Sequence, residues 1–432
     1  MKFVPVFIFL LIAGLAHCQS GAPADSLKAD SLRLLTGKTR SGAENLGKQY
    51  DVSDLFHTIL HPGKKPDAAK KRSPVTVVPN IAANPTIGFQ LGIKAVAGKR
   101  LGSDPNTLFS VAATSASITT KGILYFYINH NVFTPGNKWN FQGNIVIAKT
   151  VTPDFGQGIG NAYMGDDPAE AVLANNARKV YPIRSIYYNI REKAYKNISE
   201  NLFLGAGLSF EIRRNITTKD SGNTTPSAVY NSKYGYPKDR YSANGLLFNL
   251  QYITRDNPNR AYKGIYTDAG IRINQTWLGS TKNAVLFTTD FRKYFSLSAR
   301  NPETVLAFWN WGNYLVSGSV PYIELPGTAR DGSFRSGRGY TAQYFKGTQF
   351  NDTELELRFP ILKNKFLSGV VFGNLQTAND LHGTALFQTF RKGYGAGLRI
   401  LFNKTTRTNL ALDYAFGEFG NKGFFLNLNE TF

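Results

Sequence analysis

The chain has 432 residues and a net charge of +21, but its basic residues are spread along the whole sequence, which argues against a nucleic-acid partner. Its single cysteine, Cys18, excludes an internal disulfide. The mean hydropathy of −0.24 resembles that of a soluble protein, and beyond the N-terminus no stretch approaches the roughly 18 consecutive apolar residues of a membrane helix.

The N-terminus predicts a secretory signal peptide over residues 1–18. Lys2 precedes a long apolar run that ends at Ala16, and small residues follow soon after. Cleavage after Cys18 is the simplest interpretation. The alternative is that Cys18 accepts a lipid, although His17 beside it fits a lipoprotein signal poorly.

Residues 19–74 form a polar segment that is too short for a sizeable core of its own. Two weak helical patterns occur in it, ADSLRLL and DVSDLFHTIL. Four apolar residues of the second pattern share one helical face: Val52, Leu55, Phe56 and Ile59. We expect this segment to be partly helical or disordered. Its second helix either docks on the domain that follows or belongs to a loose linker.

From residue 75 onward, apolar and polar residues alternate with a period of two. In residues 353–359, apolar Leu355 and Leu357 oppose charged Glu354 and Glu356. One apolar and one charged face are what a strand between lipid and water requires. The predicted strands are centred on 75–82, 86–98, 107–118, 122–133, 139–153, 183–195, 202–213, 243–254, 264–277, 285–297, 304–317, 353–361, 366–374, 394–402, 409–416 and 423–431.

These segments predict an all-β fold, a 16-stranded antiparallel transmembrane β-barrel over residues 75–432. An open sheet of this size would leave two unpaired edges in hydrocarbon, so the sheet must close. An even strand number returns both ends to the periplasm, which makes residues 19–74 a short periplasmic segment. Short turns at 134–138 and 192–199 fit the periplasmic side. Long polar stretches fit the outer side, at 154–182, 214–242 and 318–352.

Two features at the ends of this region concern barrel closure. The weak first strand contains Pro79, which cannot donate to a ladder and fits an edge or seam. The last residue, Phe432, closes the alternating segment GFFLNLNETF. A terminal aromatic residue of this kind is typical of Gram-negative outer-membrane β-barrels, so we interpret Phe432 as the C-terminal barrel signal.

Residues 335–361 read RSGRGYTAQYFKGTQFNDTELELRFPI, with Arg338-Gly339-Tyr340 followed by a strand ending Glu-Leu-Arg-Phe-Pro. This resembles the BamA/TamA-type outer-membrane assembly superfamily, also called the bacterial surface antigen family. There the Arg-Gly-aromatic motif lies in the sixth extracellular loop. Further matches, in an order that makes the resemblance specific, are FGQGIGN (155–161), TRDNPNRAYKG (254–264), GYGAGLRI (393–400) and LDYAFG (412–417).

The resemblance implies that the sixth loop folds inward and that Arg338 meets barrel-wall partners, Glu356 and Asn374. A guanidinium–carboxylate fork with Glu356 would be strong once shielded from water. The family usually has an aspartate where Asn374 stands, so we expect the contact to depend more on Glu356. Gly337 also departs from the branched apolar residue of the family. The alternative is that the contact only holds a loop, without a direct role in transport.

Family members usually carry periplasmic POTRA domains, for which residues 19–74 leave no room, so the chain looks like a POTRA-less member. The leading hypothesis is a barrel that helps to insert or export outer-membrane or surface proteins through a seam between its first and last strands. The alternative is a passive pore, or a structural scaffold within a larger outer-membrane assembly. A secreted soluble β-protein is a third class, which the alternating strands and Phe432 disfavour.

The sequence offers no evidence for an enzyme, a cofactor or a metal site. Gly37-Lys38-Thr39 lacks the preceding glycine of a phosphate loop, and the five histidines show no zinc spacing. The expected surroundings are outer-membrane lipid and lipopolysaccharide, whose phosphates suit outer basic residues. Client outer-membrane proteins, accessory subunits and a second copy of the chain are the candidate protein partners.

Overall fold

The structure, a computed structural model, describes residues 49–62, 75–84, 88–104, 106–161, 164–176, 179–218, 225–381 and 383–432. The predicted signal peptide with Cys18 and the ADSLRLL pattern lie outside the described residues. Within the described ranges, no helix is both long enough and apolar enough to cross a membrane.

Strands make up most of the described chain. Their bounds are β1 Val75–Pro79, β2 Ala82–Asn84, β3 Gly88–Arg100, β4 Phe109–Thr119, β5 Leu124–Phe133, β6 Trp139–Thr152, β7 Ile183–Ser199, β8 Leu202–Thr218, β9 Tyr241–Ile253, β10 Gly264–Asn274, β11 Ala284–Ser296, β12 Val305–Gly318, β13 Gln349–Pro360, β14 Leu367–Ala378, β15 Arg391–Asn403, β16 Thr408–Gly417 and β17 Lys422–Leu428. The helices are α1 Val52–Leu60, α2 Pro168–Leu173 and α3 Pro226–Tyr234, with 3-10 turns at Pro135–Asn137, Thr276–Leu278 and Tyr322–Glu324.

The first strand is divided in two by a short interruption. Both β1 and β2 pair with β3 in one continuous antiparallel register, and between them the amide of Asn80 donates to the carbonyl of Gly92 over 2.8 Å. Counting β1 and β2 as one strand, the sheet has sixteen strands, and each coincides with a predicted one. The predicted all-β fold with an antiparallel 16-stranded sheet is confirmed.

Strand pairing follows chain order around the whole sheet. Each strand from β3 to β16 pairs antiparallel with the strands before and after it, as in the pairing of β7 with β8. The last strand, β17, then pairs with β2 at one position, Phe424 with Ala83. We call this contact the seam. By comparison, β16 and β17 pair continuously over 410–416.

The two faces of the sheet differ as the alternation predicts. On β3, the side chains of Phe89, Leu91 and Ile93 are 50%, 54% and 64% exposed. On β13, Glu354 and Glu356 are 0% exposed. The outward face is therefore apolar, and the charged residues of the strands lie in a filled interior.

The predicted turn at 192–199 is wrong, because β7 continues to Ser199 and the chain turns at Glu200 and Asn201. Tyr195 is fully buried and pairs with β8, so this polar stretch still alternates between the two faces of the sheet. The connection is shorter than predicted, but it lies at the same end of the barrel.

The last strand is also shorter than predicted. It ends at Leu428 rather than 431, because Asn429 has a left-handed conformation with φ of 69°. Two outer connections are shorter as well, since β8 continues to Thr218 and β13 begins at Gln349. The strands extend further than the hydrophobic pattern alone indicated.

Helix α1 docks on the barrel, which decides between the two alternatives left by the sequence. Asp51 caps the helix by accepting from the amide of Asp54 at 3.0 Å. Lys404, between β15 and β16, places its Nζ 2.8 Å from Oδ2 of Asp54. The amide of Tyr50 donates to the carbonyl of Asn364, between β13 and β14, over 3.0 Å. The helix is therefore held through its polar side.

Candidate functional site

Arg338 is buried inside the barrel, on the loop that joins β12 to β13. Its guanidinium group meets three carboxylates: Nη1 donates to Asp413 over 3.0 Å, Nε donates to Glu354 over 3.3 Å, and Nη2 donates to Glu354 and Glu356. The centroid of the Phe372 ring lies 3.4 Å from the guanidinium carbon. We call Arg338 with its three carboxylates the loop anchor.

Strand geometry brings these carboxylates together. Glu354 and Glu356 are two residues apart on β13, so both face the interior. Asp413 lies on β16 and fits because Gly397 of β15 has no side chain: a Cβ there would lie 1.9 Å from Oδ1 of Asp413. Charge-assisted hydrogen bonds of this type are roughly twice as strong as neutral ones.

The other two motif residues fix the loop backbone. Gly339 has φ of +102°, and a Cβ there would lie 2.5 Å from the carbonyl oxygen of Phe416. The hydroxyl of Tyr340 donates to the carbonyl of Lys392 over 2.6 Å and accepts from the amide of Glu418 over 2.9 Å. The motif therefore holds the loop against β15 and against the connection that leads into β17.

Asn374 contacts the loop differently from the prediction. Its Nδ2 donates to the main-chain oxygen of Arg338 over 2.8 Å, so it binds the loop backbone rather than the guanidinium group. Glu356 was predicted as the charged partner, whereas Glu354 and Asp413 were not predicted. Glu354 could have been found from its place on the charged face of β13. Asp413 offered no such signal beyond the LDYAFG match.

The loop anchor belongs to a larger charge network. Nε of Arg358 donates to Glu356 over 2.6 Å, and Arg399 donates to Asp413 over 2.5 Å and to Glu430 over 2.6 Å. These buried charges are all paired, which limits the cost of removing them from water. Across the described ranges, no group of His, Cys, Asp and Glu side chains is arranged to hold a metal ion. The network links the loop to the C-terminal residues.

The C-terminal residues 429–432 fold into the barrel interior. Phe432 is 5% exposed, and its ring centroid lies 5.2 Å from that of Trp309 and 6.4 Å from that of Tyr294. Its main-chain oxygen accepts from Nη2 of Arg358 over 2.9 Å. Phe432 therefore lies against the interior of β11 and β12 and not at the end of a strand. That it acts as a barrel signal stays a prediction.

The seam is short although β17 continues to Leu428. Along the described residues, β17 meets the first strand only at Phe424 and Ala83, while β1 pairs with β3 over Val75–Pro79. A cavity of about 440 Å³ adjoins the seam on the inside. Both edge strands, neighbouring strands and the loop contribute to its lining, among them Asn80, Lys94, Tyr127, Arg335, Phe425 and Asn427.

A second outer loop packs on the anchored loop. Nζ of Lys346 lies 2.8 Å from Oδ1 of Asp154, and the hydroxyl of Tyr322 donates to the same oxygen over 2.7 Å. In the FGQGIGN segment, the amide of Gly158 donates to the carbonyl of Lys346 over 2.6 Å. Burial lowers the pKa of Lys346, and the charge of Asp154 opposes that shift. Two of the recognised motifs therefore meet at the outer end.

The comparisons with known proteins agree with this geometry. Residues 84–432 match the Omp85 superfamily domain. The solved structure of BamA from Haemophilus ducreyi lacking POTRA domains 1–3 matches with a TM-score of 0.51 and 14% identity, covering 83% of this chain and 70% of that chain. CdiB from Escherichia coli matches with a TM-score of 0.52 and 9% identity, covering 83% of this chain and 63% of that chain.

These structural likenesses concern the fold, and the chain spans less than two thirds of the CdiB chain. No curated protein sequence matched. The domain match covers most of the sequence, including the Arg338-Gly339-Tyr340 motif on which the predicted resemblance depended. The chain belongs to the Omp85 superfamily.

Proposed function

We propose that this protein is an outer-membrane barrel that helps to insert or export outer-membrane or surface proteins through its seam. The observation that carries the proposal is that, among the residues the structure describes, the last and first strands pair only at Phe424 and Ala83. A backbone group in hydrocarbon without a hydrogen-bond partner is costly, so a seam of one pair opens more readily than any longer ladder. A client strand would supply the missing partners by strand addition.

The loop anchor supports this proposal by holding the sixth loop inside the barrel, beside the cavity that adjoins the seam. In this proposal the loop is positioned by its motif residues Arg338, Gly339 and Tyr340. The barrel wall supplies their partners, which are Glu356 and Asn374 together with the further carboxylates Glu354 and Asp413. The anchor has a positioning role, and no catalytic step is proposed.

The proposed arrangement of the chain follows the sequence analysis. Residues 1–18 are a signal peptide, 19–74 a short periplasmic segment, and 75–432 the barrel in the outer membrane of a Gram-negative cell. Outer-membrane lipid and lipopolysaccharide surround the barrel, and client proteins or accessory subunits are its protein partners.

A disulfide across the seam tests the function. Ala83→Cys with Phe424→Cys would covalently join the two edge strands, because these residues are directly paired. The matched control joins Leu398→Cys to Leu412→Cys, a paired position on β15 and β16 away from the seam. In cells depleted of the wild-type protein, we expect the seam disulfide to reduce specific surface proteins in the outer-membrane proteome, and reductant to restore them.

If the outer-membrane proteome stays unchanged while the seam disulfide is formed, as it should with the control disulfide, a role in insertion or export is contradicted.

Crosslinking in cells, followed by purification in mild detergent, then identifies the alternative function. Recovery of nascent barrels supports the assembly function, whereas a fixed stoichiometric neighbour supports a scaffold. A passive pore predicts steady conductance in planar bilayers, which the inward loop and Phe432 disfavour.

A further inference from the structure

Helix α1 presents an apolar side that the barrel does not cover. The helix has nine residues, and Leu55, Phe56, Ile59 and Leu60 are 36%, 60%, 62% and 70% exposed. The polar residues Asp51 and Asp54 are 1% exposed, which is the reverse of the usual pattern for a helix packed on a globular protein. The described part of the barrel therefore leaves the apolar side of α1 exposed.

The orientation is fixed by specific contacts rather than by hydrophobic packing. Oδ2 of Asp54 lies 2.8 Å from Nζ of Lys404, and Oδ2 of Asp51 accepts from the amide of Lys404 over 3.2 Å. Nζ of Lys404 also donates to the carbonyl of Gln49 over 3.2 Å. Because both carboxylates of the first turn bind one lysine, the helix cannot rotate its apolar side toward the barrel without breaking a buried ion pair.

The helix lies beside a turn of the barrel whose apolar side chains are also exposed. Tyr50, just before the helix, packs its ring edge-to-face on Phe366 at 5.7 Å between centroids. The same turn, between β13 and β14, exposes Ile361 and Leu362 by 47% and 42%. Lys363 in this turn is exposed and suits phosphate headgroups.

From these contacts we propose that α1 lies in the periplasmic leaflet of the outer membrane, with its apolar side among the acyl chains and phospholipid as its partner. Amphipathic helices of this kind bury their apolar face roughly 5–10 Å into the headgroup–acyl boundary. The helix fastens the N-terminal segment to the membrane beside the turn between β15 and β16. The inference rests on the membrane placement proposed above.

Depth-dependent quenching tests the proposal in the full-length protein, reconstituted in nanodiscs of phosphatidylethanolamine and phosphatidylglycerol. A polarity-sensitive fluorophore is attached at Phe56→Cys or Ile59→Cys, and lipids with spin labels on the acyl chain act as quenchers. Thr58→Cys is the matched control, because Thr58 is exposed on the polar side of the same helix. We expect the spin-labelled acyl chains to quench the fluorophore strongly at positions 56 and 59 and only slightly at position 58.

A fluorophore at Leu398→Cys, 43% exposed on the outer face of β15, reports whether the barrel itself is embedded. Quenching at 398 without quenching at 56 and 59 overturns the helix proposal and leaves the barrel placement intact. Equal quenching at 56, 58 and 59 also overturns it, because no oriented apolar side would then exist. Absence of quenching at 398 contradicts the membrane placement itself.

Discussion

Arg358 donates a hydrogen bond from Nη2 to the main-chain oxygen of Phe432 over 2.9 Å, so strand β13 holds the last residue of the sequence inside the barrel. Nε of the same arginine donates to Glu356, a partner of Arg338. One side chain therefore contacts both the inward C-terminal segment and the loop anchor. The loop anchor and the inward C-terminal segment share one charge network.

Replacing Arg338 with Ala should destabilise the folded barrel by about 3–5 kcal/mol, the usual effect of removing one partner of a buried ion pair. Glu354, Glu356 and Asp413 would remain close together with one positive charge fewer, because only Arg358 and Arg399 would still bind Glu356 and Asp413. Folded yield and the temperature of heat-modifiable migration measure the effect. The control is Arg240→Ala, since Arg240 is exposed and its nearest carboxylate lies 3.9 Å away. Wild-type behaviour of Arg338→Ala would exclude an anchoring role.

Replacing Phe432 with Ala should release the C-terminal residues from the interior. Loss of the buried ring costs about 3–5 kcal/mol in a well-packed site, and here the ring packs on Trp309 and Tyr294. The freed segment could then pair further along the first strand. Crosslinking efficiency between cysteines at 83 and 424, measured with and without the substitution, reports the change in the seam. Phe416→Ala, at a position 40% exposed on the outer face, serves as the control.

If crosslinking at the seam stays the same after Phe432→Ala while the melting temperature falls, Phe432 contributes to packing only. If neither quantity changes, the contacts of Phe432 with Trp309 and Arg358 do not matter for the folded protein. Either result would separate the C-terminal segment from control of the seam.

The strands were predictable because each one separates lipid from a polar interior, and this requirement appears in the sequence as a period of two. The position of the loop anchor was predictable from the Arg-Gly-Tyr motif. Its partner Glu356 was predicted as well, but Asp413 was not predictable, because it is 75 residues from Arg338 and meets it only after β13 to β16 have paired. Alternation shows which face a residue occupies, but it does not show which strand lies opposite.

The inward turn of the C-terminal residues was not predictable from the pattern. Apolar residues alternate through Leu428, and the segment that follows looks like the continuation of a strand. The turn depends on the left-handed conformation of Asn429 and on the contacts of Glu430 and Phe432 with distant arginines. Helix α2 was missed because six residues give too little periodicity, and α3 because its nine residues do not separate into an apolar and a polar side.

The contribution of Glu324 to the docking of the sixth loop should persist in mild acid. Burial raises the pKa of Glu324, but Arg330 and Arg213 lower it further, and the net pKa lies well below the usual value. A carboxyl group whose pKa is lower in the folded state than in the unfolded state stabilises the folded state at pH values above its unfolded pKa. This stabilisation is lost only as the pH falls toward the folded pKa. Glu324→Gln should therefore weaken the protease protection of residues 319–348 by the same factor at about pH 7 and about pH 5. An effect of Glu324→Gln at pH 7 that disappears by pH 5 would contradict this assignment.

A double-mutant cycle between Arg338 and Phe432 tests whether the loop anchor and the C-terminal segment are coupled. The two residues do not bond directly, but Glu356 binds Arg338, and Arg358 binds both Glu356 and Phe432. Residues within one network show coupling energies of about 0.5–3 kcal/mol, whereas independent sites add within about 0.5 kcal/mol. We expect Arg338→Ala and Phe432→Ala to be non-additive in the free energy of unfolding, and Arg338→Ala with Phe416→Ala to be additive. If the effects of the first pair on the free energy of unfolding are additive, the loop anchor and the C-terminal segment stabilise the protein independently. The seam would then respond to the C-terminal segment alone.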